Sequence, residues 1–189
     1  MLTVTTCLWD ANQHSRHFSR VYDESWAEKL YRSFAKNLTR PFRFVCFTDK
    51  QRTFAEPIEQ ERLIMQNPHY GACMEPFTLD CPQIFVGLDT IVVGNIDHLA
   101  DYAMTASKPA IPRDPFAGVG PWERTNAVVI APAGCRKMLL DGYAGENDMD
   151  WINTRDTDLL DDLFPQQVMS YKGRIQRTGL EEETRIVYF

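Results

Sequence analysis

The sequence predicts one α/β domain spanning residues 1–189, built on a mainly parallel central sheet with helices on both faces. Three observations carry that expectation. Apolar, β-branched runs of strand length alternate with segments of helical period. Several of those runs are almost continuously apolar, as strands covered on both sides are. The 189 residues, 44% hydrophobic and 24% charged, suit a single globular core and disfavour a disordered or fibrous class.

Taken in order, residues 2–8 alternate and are rich in β-branched types, which predicts a first strand. A polar loop follows from Asp10 to Ser19. Ser25 and Glu28 fit a capping box, and Ala27, Leu30, Tyr31, Phe34 and Leu38 recur at helical spacing, so residues 25–38 are expected to form an amphipathic helix. Pro41 lies just past its end. Arg43 to Thr48 reads as a second strand with Asp49 at its carboxyl end, and residues 61–65 as a third. Gln83 to Val93 is a long apolar run broken by Gly87 and Asp89.

Ile96 to Tyr102 is expected to form a short helix, and Asn126 to Ala131 a strand after the Gly/Pro-rich loop Asp114 to Pro121. Ala133 to Tyr143 and Thr157 to Leu163 read as helices, the second presenting the acidic run Asp156 to Asp162 as a solvated face. Val168 to Tyr171 and Arg185 to Phe189 read as strands. The chain shows no internal repeat, low-complexity tract or linker.

A net charge of −6 argues against the dense basic face that duplex nucleic acid requires and leaves room for a local basic pocket. The start of the chain lacks a charged leader followed by a long apolar stretch, and no run reaches the roughly 18 apolar residues of a membrane span. Cys7, Cys46, Cys73, Cys81 and Cys135 are odd in number and lack CxxC spacing, so reduced thiols in a cytoplasmic compartment are expected. His14, His17, His69 and His98 show no paired zinc spacing and are expected at the surface. Without GxxxxGK[ST], GxGxxG after the first strand or GxSxG, the kinase, dehydrogenase and esterase readings fall away.

In mainly parallel sheets, ligands bind at the carboxyl ends of the strands. Asp10, Asp49 and Asp89 fall near such ends, although each alone is equally a turn former. Trp9 is either one wall of a base pocket or a core residue.

The most specific stretch is Ile84-Phe85-Val86-Gly87-Leu88-Asp89-Thr90-Ile91-Val92-Val93-Gly94-Asn95-Ile96-Asp97. It resembles the Asp-x-Asp strand of glycosyltransferases of the type A fold, in particular family 8 and its glycogenin-like relatives. Further segments agree in order. Arg32 to Asp49 resembles that family's first helix and second strand. Thr125 to Ile130 resembles a strand whose asparagine faces the donor sugar. Asn147 to Ile152 resembles its Gly-Asp-Gln segment, and Val168 to Lys172 its late strand ending in Ser-Tyr-Lys.

The resemblance implies a single GT-A-like, Rossmann-like domain that takes a sugar from a nucleotide-diphosphate donor, UDP-linked, to an unknown acceptor. It implies Asp148 as the catalytic or sugar-orienting residue, and Asp10, Thr48, Asp49, Asn126 and Lys172 as nucleotide-sugar contacts. It also implies Asp89 as the ligand of a Mn2+ or Mg2+ ion that neutralises the departing diphosphate.

Three departures stand beside these matches. Gly87 replaces the motif's first aspartate, Cys73 takes a position where relatives carry lysine, and Phe189 ends the chain before a His-Gly-x-x-Lys-Pro segment. Arg113, Arg124, Lys172 and Arg174 are candidates for the missing positive charge. The departures also open a second reading, a catalytically degenerate relative that keeps the fold as a binding or assembly module. On its own residues, Asp148 reads equally as part of a solvated acidic loop with Glu146 and Asp150.

Overall fold

The computed structural model describes residues 1–189. In chain order the elements are β1 (Leu2–Leu8), α1 (Arg16–Ser19), α2 (Glu24–Asn37), β2 (Phe42–Thr48), β3 (Glu59–Arg62), a 3-10 helix (Tyr70–Leu79), β4 (Gln83–Val86) and β5 (Ile91–Val92). There follow α3 (Asp97–Thr105), β6 (Ala110–Ile111), β7 (Val128–Ala131), α4 (Cys135–Leu140), α5 (Asp148–Ile152), β8 (Asp158–Leu159) and α6 (Leu160–Leu163). The chain closes with β9 (Val168–Ser170), a π-helical turn (Tyr171–Ile175), α7 (Gln176–Thr178) and β10 (Ile186–Tyr188). No helix is long and apolar enough to cross a membrane.

The main sheet has seven strands in the order β3-β2-β1-β4-β7-β6-β8. From β3 to β4 every pairing is parallel, with Leu2 to Leu8 of β1 in register with Phe42 to Thr48 of β2. β7 runs antiparallel to both β4 and β6, and β6 pairs parallel with β8. The chain therefore builds outward from β1 through β2 to β3 and then returns to β1's other edge with β4. That reversal leaves a crevice at the carboxyl ends of β1 and β4, where such sheets bind ligands. A second, three-stranded sheet, β5-β10-β9, closes the same end.

Alternation along the strands feeds two cores. Phe44 and Cys46 of β2, Ile84 and Val86 of β4, and Val128 and Ile130 of β7 face a core completed by Ala27, Leu30 and Phe34 of α2 and Leu99, Ala100 and Ala103 of α3. Val45 and Phe47, Phe85, and Val129 and Ala131 face the opposite core, against Ala72, Met74 and Phe77 of the 3-10 helix and Cys135 and Leu139 of α4. Period-two side chains on strands buried on both faces give this arrangement, with helices on each side of the sheet.

Several expectations shift. The N-cap of α2 is Asp23, whose Oδ1 accepts from the Ser25 amide at 3.0 Å, while Glu28 accepts from the Ala55 amide instead of closing a capping box. The third strand begins two residues earlier than expected, at Glu59. Residues 157–163 divide into the short strand β8 and the single-turn helix α6. The acidic run there is not simply solvated: Asp158 accepts from the Tyr102 hydroxyl, Asp161 from the Arg113 amide, and Asp156 pairs with Lys108. All five cysteines are free thiols. His69 is half-buried and caps the 3-10 helix, its Nδ1 accepting from the Gly71 amide.

Candidate functional site

A cavity of about 360 Å³ opens at the crevice, within the usual size of small-molecule sites. Its floor comes from the ends of β1 (Thr6 to Trp9) and β4 (Phe85 to Asp89). Thr125 to Ala127, just before β7, form one side, and Asp148 projects from the start of α5. Phe18, Tyr22 and Tyr70 wall the cavity opposite, and Lys172 and Phe189 close it from the C-terminal segment.

The break in the apolar run at residues 87–90 is a tight turn. The Gly87 amide donates to the Ala127 carbonyl, and the Thr90 amide returns to the Gly87 carbonyl at 3.1 Å. Asp89 sits on that turn and lines the cavity. Its Oδ2 accepts from the Tyr22 hydroxyl at 3.1 Å, and burial raises its pKa. A Cβ at Gly87 would lie 3.0 Å from Asp89 Oδ1, so the carboxylate folds back over the glycine.

Asp148 is the most constrained polar group of the site, only 4% exposed. Its Oδ2 accepts from Asn126 Nδ2 at 2.8 Å and its Oδ1 from the Met149 amide at 2.8 Å. Asn147 caps the helix that carries it, accepting from the amides of Met149 and Asp150. Burial outweighs these hydrogen bonds and pushes the Asp148 carboxyl up to about 6. The solvated-loop alternative for Asp148 therefore fails. Its acidic neighbours point elsewhere: Asp150 accepts from the Trp122 indole and Glu146 from the Ala144 amide.

Of the residues expected at a binding site, the structure brings together Asp89, Asn126, Asp148 and Lys172. Asp10, Thr48 and Asp49 are not among the cavity's lining residues. Asp10 and Asp49 pair with Arg52, whose guanidinium also reaches Glu24. Thr48 is buried at the end of β2, where its carbonyl accepts from the Leu63 amide. Trp9 is a core residue, buried and donating to Ser15 Oγ, and it also lines the cavity on one side. Among the candidate cations, Arg174 pairs with Glu181 and Arg124 donates to the Arg155 carbonyl, so neither reaches the cavity.

Tyr22, Tyr70 and Phe18 were invisible to motif reading because no local pattern distinguishes a cavity aromatic from a core one. Phe18 and Tyr70 stack with ring centroids 4.0 Å apart, joining residues more than fifty positions apart in the chain.

Lys172 stands on the π-helical turn, a form often found at functional sites. Ser170 Oγ accepts from the Gly173 amide at 3.0 Å, and Tyr171 stacks on Phe189 at 4.7 Å. A Cβ at Gly173 would meet Pro115 Cβ at 2.3 Å, so this turn closes on the Asp114 to Pro121 loop only because residue 173 has no side chain. Gly173→Ala is expected to cost about 1–3 kcal/mol by overpacking, read as a lower urea midpoint at unchanged slope. An unchanged midpoint would show that the contact yields freely.

A divalent cation fits this donor set poorly. Asp89 and Asp148 are the two carboxylates of the cavity lining, and nowhere do three or more His, Cys, Asp or Glu side chains converge as metal ligands.

No family model and no curated protein matches the chain. Solved structures do match. The crystal structure of the glycosyltransferase GlyE of Streptococcus pneumoniae TIGR4 is similar over 98% of this chain, with a TM-score of 0.64 at 14% sequence identity. The fold is glycosyltransferase-like. This chain spans about half, 53%, of that protein's chain. In the glycosyltransferase-like fold described here, the cavity occupies the crevice between β1 and β4.

Proposed function

We propose that the protein is a glycosyltransferase of the family 8 type, taking a sugar from a nucleoside-diphosphate donor, with UDP as the nucleotide. One observation carries this reading: a buried Asn126–Asp148 pair and the strand-end Asp89 share a single cavity at the switch point of a glycosyltransferase-like sheet. An aspartate at 4% exposure, held by an amide side chain and open to a cavity, is an expensive arrangement for stability alone.

In this reading the aromatic wall of Trp9, Phe18 and Tyr70 takes the flat faces of base or sugar. Asn126 and Asp148 hydrogen-bond sugar hydroxyls, and Lys172 faces the diphosphate. During transfer the anomeric carbon's bond to the diphosphate oxygen breaks and its electron pair stays with that oxygen. The acceptor hydroxyl oxygen forms the new bond and releases its proton. Asp148, ionised above about pH 6, is the proton acceptor that the cavity supplies.

Thermal unfolding of the full chain with nucleotides tests the reading. UDP at 100 times its dissociation constant adds about 2.7 kcal/mol, a rise in Tm of about 5–11 °C at roughly 2–4 °C per kcal/mol. UDP-sugars incubated with the protein should release UDP. If no nucleoside diphosphate shifts the transition, with or without manganese or magnesium, the proposal fails.

A further inference from the structure

We propose that this protein binds the donor's diphosphate without a divalent cation, the Lys172 ammonium supplying the counter-charge. The inference rests on the nucleotide-sugar reading above and concerns how that site handles phosphate charge.

Hard cations need several oxygen ligands, and those that bind through substrate phosphates still take one or two carboxylates from the protein. Two line this cavity, Asp89 and Asp148, and neither is free to turn to a cation without losing a partner: the Asp148 oxygens accept from Asn126 and from the Met149 amide. Asp89 Oδ2 is held by the Tyr22 hydroxyl, and Oδ1 folds back to within 3.0 Å of where a side chain at position 87 would begin. A side chain at position 87 would press on Asp89 Oδ1, which would have to shift, so the present orientation of the Asp89 carboxylate goes with glycine at that position. Cys73, which also lines the cavity, brings no positive charge to it.

Positive charge reaches the cavity from a single residue. Lys172 is the one lysine or arginine in its lining. Lys50 and Lys108 are tied to Asp10 and Asp156, while Lys172 is exposed and enters no such pair. Its mounting is specific, since the turn is pinned by Ser170 at one end, by the Gly173–Pro115 approach behind it and by the Tyr171–Phe189 stack beside it. An ammonium carried on a pinned turn and facing a diphosphate forms charge-assisted hydrogen bonds without a metal's demand for converging carboxylates.

Calorimetric titration of the full chain with UDP, in excess EDTA and then in millimolar manganese, tests this. The expected result is the same affinity in both. Lys172→Ala should weaken UDP binding roughly 10- to 100-fold, the loss expected for a hydrogen bond to a charged group. Uridine, which lacks phosphate, should bind the variant as it binds the parent, showing an intact cavity, and Lys172→Arg should restore most of the UDP affinity. UDP binding that disappears in EDTA and returns with manganese overturns metal independence and leaves the donor reading standing. UDP affinity unchanged in Lys172→Ala overturns the role of the ammonium. Absence of UDP binding under either condition overturns the donor reading and this inference with it.

Discussion

Asp148→Asn is expected to abolish most turnover while making the protein more stable at neutral pH. The Asp148 carboxyl is raised from 3.8 to about 6, first by burial and against the hydrogen bonds from Asn126 and the Met149 amide. A carboxyl that holds its proton more tightly in the fold favours folding most fully below pH 3.8, and that advantage is lost as pH rises through about 6. At pH 7 and above the buried carboxylate is a net cost of up to about 3 kcal/mol. Asparagine keeps the shape without the charge. Asn126 needs only to turn its amide over so that its oxygen accepts from the new side chain. The variant's Tm should rise by several degrees at pH 7.5, and the gain should vanish near pH 4. Activity should move the other way, with kcat falling roughly 10²- to 10⁴-fold if Asp148 takes the proton. Parent kcat should climb as pH passes about 6. Asp150, turned away to Trp122, adds a smaller upward push, and Tyr70 and Tyr143, which also feel the Asp148 charge, are both raised above their ordinary range and stay neutral through this window. A variant that is less stable at neutral pH, or one that keeps its turnover, would contradict this account.

The prediction depends on a burial that the sequence did not disclose. Glu146, Asp148 and Asp150 form an acidic, polar stretch whose composition describes a solvated loop as well as a site. Only the fold separates them, by bringing Asn126 and the aromatic wall over the middle residue. Elements set by local pattern were legible: β1, β2 and α2 announce themselves through alternation, an unbroken apolar run and helical spacing, because packing and propensity agree there. The turn at Gly87 and Asp89 was legible for the opposite reason, as an interruption. The 3-10 helix was missed because Pro76 lies inside it and it lacks the 3.6-residue period of an α-helix. Two-residue strands such as β6 and β8 carry too few positions to show any period. The reversal of β7 was equally hidden, since Val128 to Ala131 is buried on both faces and reads alike in either direction.

Arg52→Met is expected to be the most destabilising charge change in the chain, and it separates structure from ligand binding at the expected donor contacts Asp10 and Asp49. The Arg52 side chain is 3% exposed and reaches three carboxylates, Asp10 and Asp49 through Nη2 at 2.8 and 2.7 Å and Glu24 through Nη1 at 3.0 Å. Asp49 Oδ2 also accepts from the Asp10 amide at 3.0 Å. The cluster therefore locks together the carboxyl ends of β1 and β2 and the first turn of α2, at the edge of the ligand crevice. Removing the arginine leaves three acids facing one another. Loss of one partner from a buried ionic group costs about 3–5 kcal/mol. Since the acids themselves reach water, the low end applies, a fall in Tm of roughly 6–12 °C. Asp10 is held below its ordinary range by Lys50 first and then by Arg52. Its stabilising contribution is present above pH 3.8 and is lost as pH falls through its lower folded value, so the acid limb of the stability curve should flatten in Arg52→Met. Asp49→Asn supplies the second arm. It keeps an acceptor for the Asp10 amide, so a drop in UDP affinity without a comparable drop in Tm would place this carboxylate in contact with the nucleotide. Matched losses would mean that it acts through the strand ends, holding Trp9, the residue before Asp10, against the cavity it lines.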